Sequence, residues 1–321
     1  MKDGFGREIS YMRISITEQC NLRCTYCRGM LEPVGEMAGH IADSHLLSPE
    51  RIAEIVAAAA ALGIEKIRVT GGEPLLRPDV VEICRRIHEV PGIRELTLTT
   101  NGLLLERYAK ALKEAGVGRV NISLDTLKAD KYRDITGGGL LSLVLSGIEA
   151  AKNAELFPIK INVVLLRGFN EEEIPDFVNM TREAPIEVRF IEHMPVGNTL
   201  GGQEASYLPG EAVLEAVPQL LQTEERGVAT LYQLPDGIGR VGLIRPVSRH
   251  FCPSCNRIRL TCDGYIKPCL HSEEEIDTGR LHGLELEKKL QSAISKKPME
   301  HGALNGEHGS RTKRSMHQIG G

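Results

Sequence analysis

The sequence predicts an α/β fold built on an open, incomplete barrel of six parallel strands. Three observations carry this. Between residues 10 and 195, strand-like and helix-like segments alternate, which is the pattern of a parallel sheet with covering helices. The strands in that stretch number six, fewer than the eight that close a full (β/α) barrel. Polar and reactive residues gather just after the strands, at 17–27, 70–75, 99–102, 123–125 and 192–198. Such a fold keeps its chemistry at those strand ends, and packing alone would not put them there.

The elements follow in order. Residues 12–17 read as the first strand. Ser48, Pro49 and Glu50 supply an N-cap, a first-turn proline and an early carboxylate, and they open an Ala-rich helix that Gly63 stops. Residues 66–70 (KIRVT) form the second strand, and 79–90 has helical spacing. A third strand at 95–100 leads into a helix over 104–115, stopped by Gly116. Residues 119–124 and 160–165 (KINVVL) are the fourth and fifth strands, 171–182 is helical, and 187–192 is the sixth strand. From about residue 200 the pattern changes. A Gly-rich polar loop at 200–206 precedes short strands at 229–234 and 239–244 and a helix near 285–295. The last twenty residues are Gly-rich and basic and end in MHQIGG. The expected division is a barrel core, 1–225, and a C-terminal region, 226–321.

The chain of 321 residues is 41% hydrophobic and 26% charged, the composition of a globular protein. Its net charge of −4 argues against a general nucleic-acid coat or a polybasic membrane binder, but leaves room for a focused basic pocket. No apolar run is long enough to span a bilayer and no signal segment opens the chain, so a cytoplasmic protein is expected. Seven of the eight cysteines lie in two tight groups. In a reducing compartment such groups are read as metal ligands rather than disulfides. Cys84 stands alone in an apolar helical stretch and reads as packing.

The first group is Cys20-x3-Cys24-x2-Cys27. Three thiolates on one short loop suit a cubane iron–sulfur cluster with one iron left open. The alternative is a zinc site that borrows a distant fourth ligand. Gly71 and Gly72, in the GGEP segment after the second strand, would let a small ligand approach the backbone closely. The second group is Cys252-x2-Cys255-x13-Cys269, with Cys262 between. Either all four hold a structural zinc, or three hold a second cluster with an open iron. Arg257 and Arg259 sit on alternate residues of an apparent strand and so share a face. Two guanidiniums beside a metal site point to an anionic ligand; a solvated strand face is the plainer alternative.

The first cysteine loop with Tyr26, followed by GGEP, resembles the radical S-adenosylmethionine (SAM) enzymes. The chain as a whole resembles the GTP 3′,8-cyclases of molybdenum cofactor biosynthesis. The resemblance is carried by both cysteine groups, the NRIRL run at 256–260 and the terminal Gly320 and Gly321. Further matches are Arg13 in MRISIT, KIRVT, TTNG, Ser123-Leu124-Asp125, Lys160-Ile161-Asn162 and Arg189 in RFIE, all in the family's order.

That resemblance implies a TIM-like radical SAM partial barrel whose C-terminal region carries a second iron–sulfur cluster. It implies that Cys20, Cys24 and Cys27 hold one [4Fe-4S] cluster and that Tyr26, Gly72, Ser123 and Met194 contact SAM. It implies that Cys252, Cys255 and Cys269 hold a second [4Fe-4S] cluster whose open iron meets guanine. Arg13, Arg68, Thr99, Lys160, Arg257, Ile258 and Arg259 would contact GTP, and Gly320 and Gly321 would thread into the active site as catalytic residues. The implied activity is that of a lyase: a 5′-deoxyadenosyl radical takes hydrogen from C3′ of GTP, the ribose radical closes onto C8, and reduction completes the cyclised nucleotide. The implied partners are a flavodoxin- or ferredoxin-like electron donor and a downstream cyclic pyranopterin monophosphate synthase, with a homodimer as the candidate assembly and neither membrane nor nucleic acid.

Two positions depart from the pattern. Arg28 and Gly29 follow Cys27 where Met-Pro is usual, and Cys262 stands where a small non-ligand residue is expected. A radical SAM enzyme acting on a peptide, with an auxiliary cluster, is the second reading; it would have no need of Arg257 and Arg259. A zinc-stabilised binding module without catalysis is the third.

Overall fold

Alternation along each strand decides which side chains enter the barrel. The computed structural model describes residues 1–28, 45–196, 206–302, 304 and 310–320. The six expected strands form as β1 (Tyr11–Ser15), β2 (Lys66–Thr70), β3 (Glu95–Thr100), β4 (Arg119–Ser123), β5 (Ile159–Leu165) and β6 (Ile186–Glu192). Each pairs in parallel with the next. Met12, Ile14, Ile67, Val69, Leu98, Val120, Ile161, Val188 and Phe190 point outward and join one apolar core with the covering helices. The residues between them, such as Arg13, Arg68, Thr99, Ser123, Asn162 and Arg189, point inward and line a cavity.

The sheet does not stop at β6. Among the described residues it has twelve strands, in the order β12-β11-β10-β1-β2-β3-β4-β5-β6-β9-β8-β7. The added strands are β7 (Leu221–Arg226), β8 (Ala229–Gln233), β9 (Arg240–Ile244), β10 (Arg257–Leu260), β11 (Tyr265–Lys267) and β12 (Ile276–Asp277). β9 lies parallel to β6 and β10 parallel to β1, so eight strands run parallel. Antiparallel β7–β8 and β11–β12 extend the two edges. The barrel stays open because β9 and β10 are not neighbours in this order. The short C-terminal strands expected from the sequence are therefore part of the barrel sheet itself.

The helices are α1 (Thr25–Arg28), α2 (Pro49–Ala61), α3 (Val80–His88), α4 (Leu105–Glu114), α5 (Ala129–Thr136), α6 (Leu141–Asn153) and α7 (Ile174–Asn179), then Glu211–Ala216, Gly283–Ser295 and Met316–Ile319. α2 starts as its sequence predicts, with Ser48 Oγ accepting the Arg51 N–H at 3.2 Å. The helix expected over 171–182 is a 3-10 turn, Glu171–Glu173, running into α7. Helices α5 and α6 have no counterpart in the sequence reading. Both begin at residues, Lys128 and Leu140, whose side chains make no cap hydrogen bond, so neither start carries a local signal. Cys84 is fully buried on α3, as packing requires. The polar loop expected at 200–206 lies, up to residue 205, outside the described residues. Among the described residues no helix is long and apolar enough to cross a membrane.

Candidate active site

One cavity of about 310 Å³ opens inside the barrel and brings the two cysteine groups together. Cys20, Cys24 and Cys27 line it from the loop after β1, and Cys252, Cys255 and Cys269 from the segments flanking β10 and β11. Tyr26, Gly72, Ser123 and Met194 also line it, as do Arg13, Arg68, Thr99, Arg257 and Arg259. Three expected contacts do not. Lys160 lies inside the barrel with its Nζ 2.6 Å from Glu187 Oε2. Ile258 is 1% exposed and packs its side chain in the apolar core, because it alternates with Arg257 and Arg259. Gly320 is buried beside the cavity wall, and Gly321 lies outside the described residues, as does Gly29.

The first cysteine loop is braced by the GGEP segment. The Gly72 N–H donates to Thr17 O and the Glu73 N–H to Gln19 O, both at 2.7 Å. A Cβ on Gly72 would lie 2.3 Å from Gln19 O and 2.6 Å from Glu18 O. These glycines therefore admit the backbone of the cysteine loop, and they also line the cavity, where the sequence suggested the approach of a ligand. Glu73 is fully buried and accepts from Leu75 N at 3.1 Å, Thr100 Oγ1 at 2.7 Å and Asn101 N at 2.7 Å. Burial pushes its carboxyl up to about 7 against those bonds. The Tyr26 hydroxyl donates to Asp125 Oδ2 at 2.6 Å, and Asp125 Oδ1 accepts from Val164 N at 2.8 Å, so the loop is pinned to β5. Burial raises Asp125 to about 6, opposed by those two bonds.

The thiols fit a positively charged group. Burial, then the negative charge of Asp125, Cys27 and Cys20, holds the Cys24 thiol well above the ordinary range. A bound iron cluster supplies the positive charge that three thiolates there need. At the second group, burial would raise Cys255, but Lys297 and Arg257 outweigh it and pull the thiol down. Among the described residues no three Cys, His, Asp or Glu side chains converge closely enough to hold a single metal ion, as a preformed zinc site would. Cys262 is buried away from this cavity, and burial, with Glu18 and Asp263, pushes its thiol up to about 12.

Strand register gathers the cations. Arg13 pairs across with Arg68 on β2 and with Arg259 on β10, and Tyr11 pairs with Arg257. The guanidinium carbons of Arg68 and Arg257 lie 5.5 and 5.7 Å from the centre of the Tyr11 ring, and Arg13 Nε donates to its hydroxyl at 3.4 Å. Burial alone would raise the Tyr11 phenol; Arg68, Arg13 and Arg257 outweigh it and bring the group to about 7. Burial lowers Arg259 to about 9, aided by Arg13 and Arg257. Burial also brings Lys160 down to about 7, aided by Arg189 and opposed by Glu187. Among the described residues, Arg257 Nε, Thr99 Oγ1 and both ring nitrogens of His193 are buried with no hydrogen-bond partner. All three residues line the cavity, and orphaned polar atoms on a cavity wall call for a ligand.

The tail reaches this row of cations. Arg259 Nη1 donates to Ile319 O at 3.0 Å and to Gly320 O. Gly320 adopts φ +71°, and a Cβ there would meet Thr70 Cγ2 at 2.3 Å, so a glycine is required. Sequence reasoning passed over Tyr11, Glu73, His193 and Lys297. Tyr11 had a signal, because it alternates with Arg13 on one strand. Glu73 was noted only as a letter of the GGEP motif, and His193 and Lys297 carry no local pattern.

Comparison with known proteins agrees with this architecture. The Radical SAM superfamily model matches residues 14–181, and the Molybdenum Cofactor Synthesis C model matches 186–303. The chain is 48% identical to the GTP 3′,8-cyclase of Alkaliphilus oremlandii over 328 residues, covering 100% of each chain. It is 44% identical to that of Listeria monocytogenes over 335 residues, covering 100% of this chain and 99% of the relative. Among solved structures, Streptococcus suis SuiB aligns with a TM-score of 0.60 at 15% identity, over 91% of this chain and 67% of that one. The protein anSMEcpe with bound AdoMet aligns at 0.53 and 16% identity, over 90% and 81%. At such identities these structures speak for the radical SAM fold alone. The sequence relatives go further, matching end to end, and on them the chain belongs to the GTP 3′,8-cyclase family.

Proposed function

We propose that this chain is a cytoplasmic radical SAM lyase that cyclises GTP to (8S)-3′,8-cyclo-7,8-dihydroguanosine 5′-triphosphate, the first step of molybdenum cofactor biosynthesis. The observation that carries the reading is the single cavity that both cysteine groups line, with Arg257 Nε and Thr99 Oγ1 unpaired in its wall. In this reading Cys20, Cys24 and Cys27 hold a [4Fe-4S] cluster, with SAM against Tyr26, Gly72, Ser123 and Met194. Cys252, Cys255 and Cys269 hold a second [4Fe-4S] cluster on the substrate side. When bound, the first cluster and SAM supply the one-electron chemistry for hydrogen abstraction from C3′ of GTP.

The protein's own residues bind, orient and exclude water. Arg13, Arg68, Arg257 and Arg259 offer guanidinium forks to the triphosphate, in a wall that keeps water away from their charges. Thr99 and the backbone near Ile258 complete the contact, and Lys160 backs it from inside the barrel. Tyr26 and Asp125 hold the first loop in place against β5. Gly320 and Gly321 bring main chain, without side chains, toward the reacting nucleotide. We divide the chain by role into a barrel core, 1–225, and a C-terminal region, 226–321, that carries the second cysteine group, the Arg257 and Arg259 pair and the Gly-Gly tail. The electron donor is a flavodoxin- or ferredoxin-like protein, and the product passes to a cyclic pyranopterin monophosphate synthase; a homodimer is the proposed assembly.

The test is anaerobic incubation of the cluster-loaded protein with SAM, a strong reductant and GTP, followed by mass analysis. Cyclised GTP and 5′-deoxyadenosine in equal amounts are expected. Deoxyadenosine without any altered nucleotide would refute the proposal.

A further inference from the structure

Arg314, in the tail, has no part in any step above. Arg314 precedes the short helix Met316–Ile319, and its side chain is 16% exposed. Its Nε lies 2.8 Å from Glu275 Oε1 and 3.0 Å from Oε2, and Nη2 donates to Glu275 Oε2 at 2.8 Å. Nη1 and Nη2 reach the two oxygens of Asp263 at 3.2 and 2.8 Å, and Nη1 lies 3.5 Å from Glu18 Oε1. Three carboxylates from three separate segments thus meet one guanidinium. Glu18 belongs to the loop that carries Cys20, Asp263 to the β10–β11 turn and Glu275 to the approach to β12.

The same tail is held at two further points. Ser315 and Gln318 form a capping box, and Gln318 Nε2 lies 3.5 Å from Glu18 Oε2. Arg259 then takes the carbonyls of Ile319 and Gly320. Glu18 therefore answers to both Arg314 and Gln318, one residue on each side of the cap.

We propose that Arg314 is a positioning residue: an ionic latch that docks the C-terminal tail in the barrel and, through Glu18, ties it to the first cysteine loop. The latch rests on the reading of the tail as part of the active site, but docking itself can be measured without turnover. Without Arg314, the cluster loses its guanidinium while Glu18, Asp263 and Glu275 remain together, with Lys267 beside Glu275 as a nearby cation. Like charges are then left stranded where the tail docks, and the tail is released; the first cysteine loop keeps its separate anchors, the Tyr26–Asp125 bond and the N–H bonds of Gly72 and Glu73.

The experiment is hydrogen-exchange mass spectrometry on the anaerobic, cluster-loaded protein, with iron content and SAM cleavage measured on the same samples. In Arg314→Ala the amides of 316–320 should exchange about ten- to a hundredfold faster, the loss expected for charge-assisted bonds. Exchange in β1–β6, iron content and substrate-free SAM cleavage should stay as in the wild type, while cyclised product falls. Arg314→Lys should fall between, because a point charge keeps the attraction and loses the fork. Adding Glu18→Gln to Arg314→Ala should restore part of the protection by removing a stranded charge, which general destabilisation would not do. Asp263→Asn gives a milder version of the same loss should Arg314→Ala not fold. Wild-type exchange of the tail in both Arg314→Ala and Asp263→Asn would overturn the latch. Faster tail exchange in the variants, from a wild type that makes no cyclised nucleotide, would leave the latch standing and sink the proposed function.

Discussion

Replacing Gly72 by alanine separates two reasons for a glycine at that position. If the glycine serves only the approach of a ligand, the metal-free protein should not notice the new methyl group. The structure gives a different expectation. The added Cβ would lie 2.3 Å from Gln19 O, 2.7 Å from Gln19 C and 2.6 Å from Glu18 O, all backbone atoms that no rotamer change can move. The loop must retreat by roughly 1 Å to reach ordinary contact, and the close packing of this interior leaves no slack for it. That retreat strains the Gly72 N–H bond to Thr17 O and the Glu73 N–H bond to Gln19 O. Overpacking and two weakened hydrogen bonds together cost about 2–5 kcal/mol. With the unfolding entropy of a chain this long, that is a drop of roughly 3–7 °C in melting temperature. The assay is calorimetry of the metal-free, reduced protein. Gly118→Ala is the control: its Cβ would first meet Leu96 O at 3.7 Å, an ordinary contact, and should change stability by less than about 0.5 kcal/mol. A Gly72→Ala melt equal to wild type, with SAM binding lost, would refute the backbone argument.

Four other outcomes are expected. Reconstituted protein should hold about eight irons per chain; four with one zinc would return Cys262 to the ligand set. Its replacement by Ala should otherwise spare the iron content, because that thiol lies off the cavity. Arg257→Ala and Arg259→Ala should each weaken GTP binding about ten- to a hundredfold, the loss of a charge-assisted contact, in equilibrium binding to the cluster-loaded protein. Unchanged affinity in both would remove them from the site. Ultraviolet absorbance should show a phenolate already forming near pH 7 in the folded protein and absent in Tyr11→Phe. Its folded value lies below the ordinary one, so its contribution to stability is present above pH 10 and is lost as pH falls through about 7. A Tyr11→Phe protein with the same neutral absorbance would show that the three arginines do not hold Tyr11 ionised.

Local order in the chain was enough for the six core strands, for both cysteine groups and for the facing of Arg257 and Arg259. Strand alternation has period two, and cysteine ligands for one cluster sit close in sequence, so both are visible in a short window. The helix starting at Ser48 was legible for the same reason, since its cap is a matter of neighbouring residues. Helices α5 and α6 were not, because no cap marks their starts. Only the tertiary structure decided that β9 and β10 join opposite sides of the barrel sheet. Parallel pairing between Arg13 and Arg259 links residues nearly the whole chain apart, and nothing local encodes such a register. The same pairing carries Cys252, Cys255 and Cys269 into one cavity with Cys20, Cys24 and Cys27. It also leaves Cys262 off that cavity. The reason for Gly72 and the three carboxylates around Arg314 belong to this second class. Each depends on segments distant in sequence whose atoms come within a few ångströms, and only the folded chain brings them there.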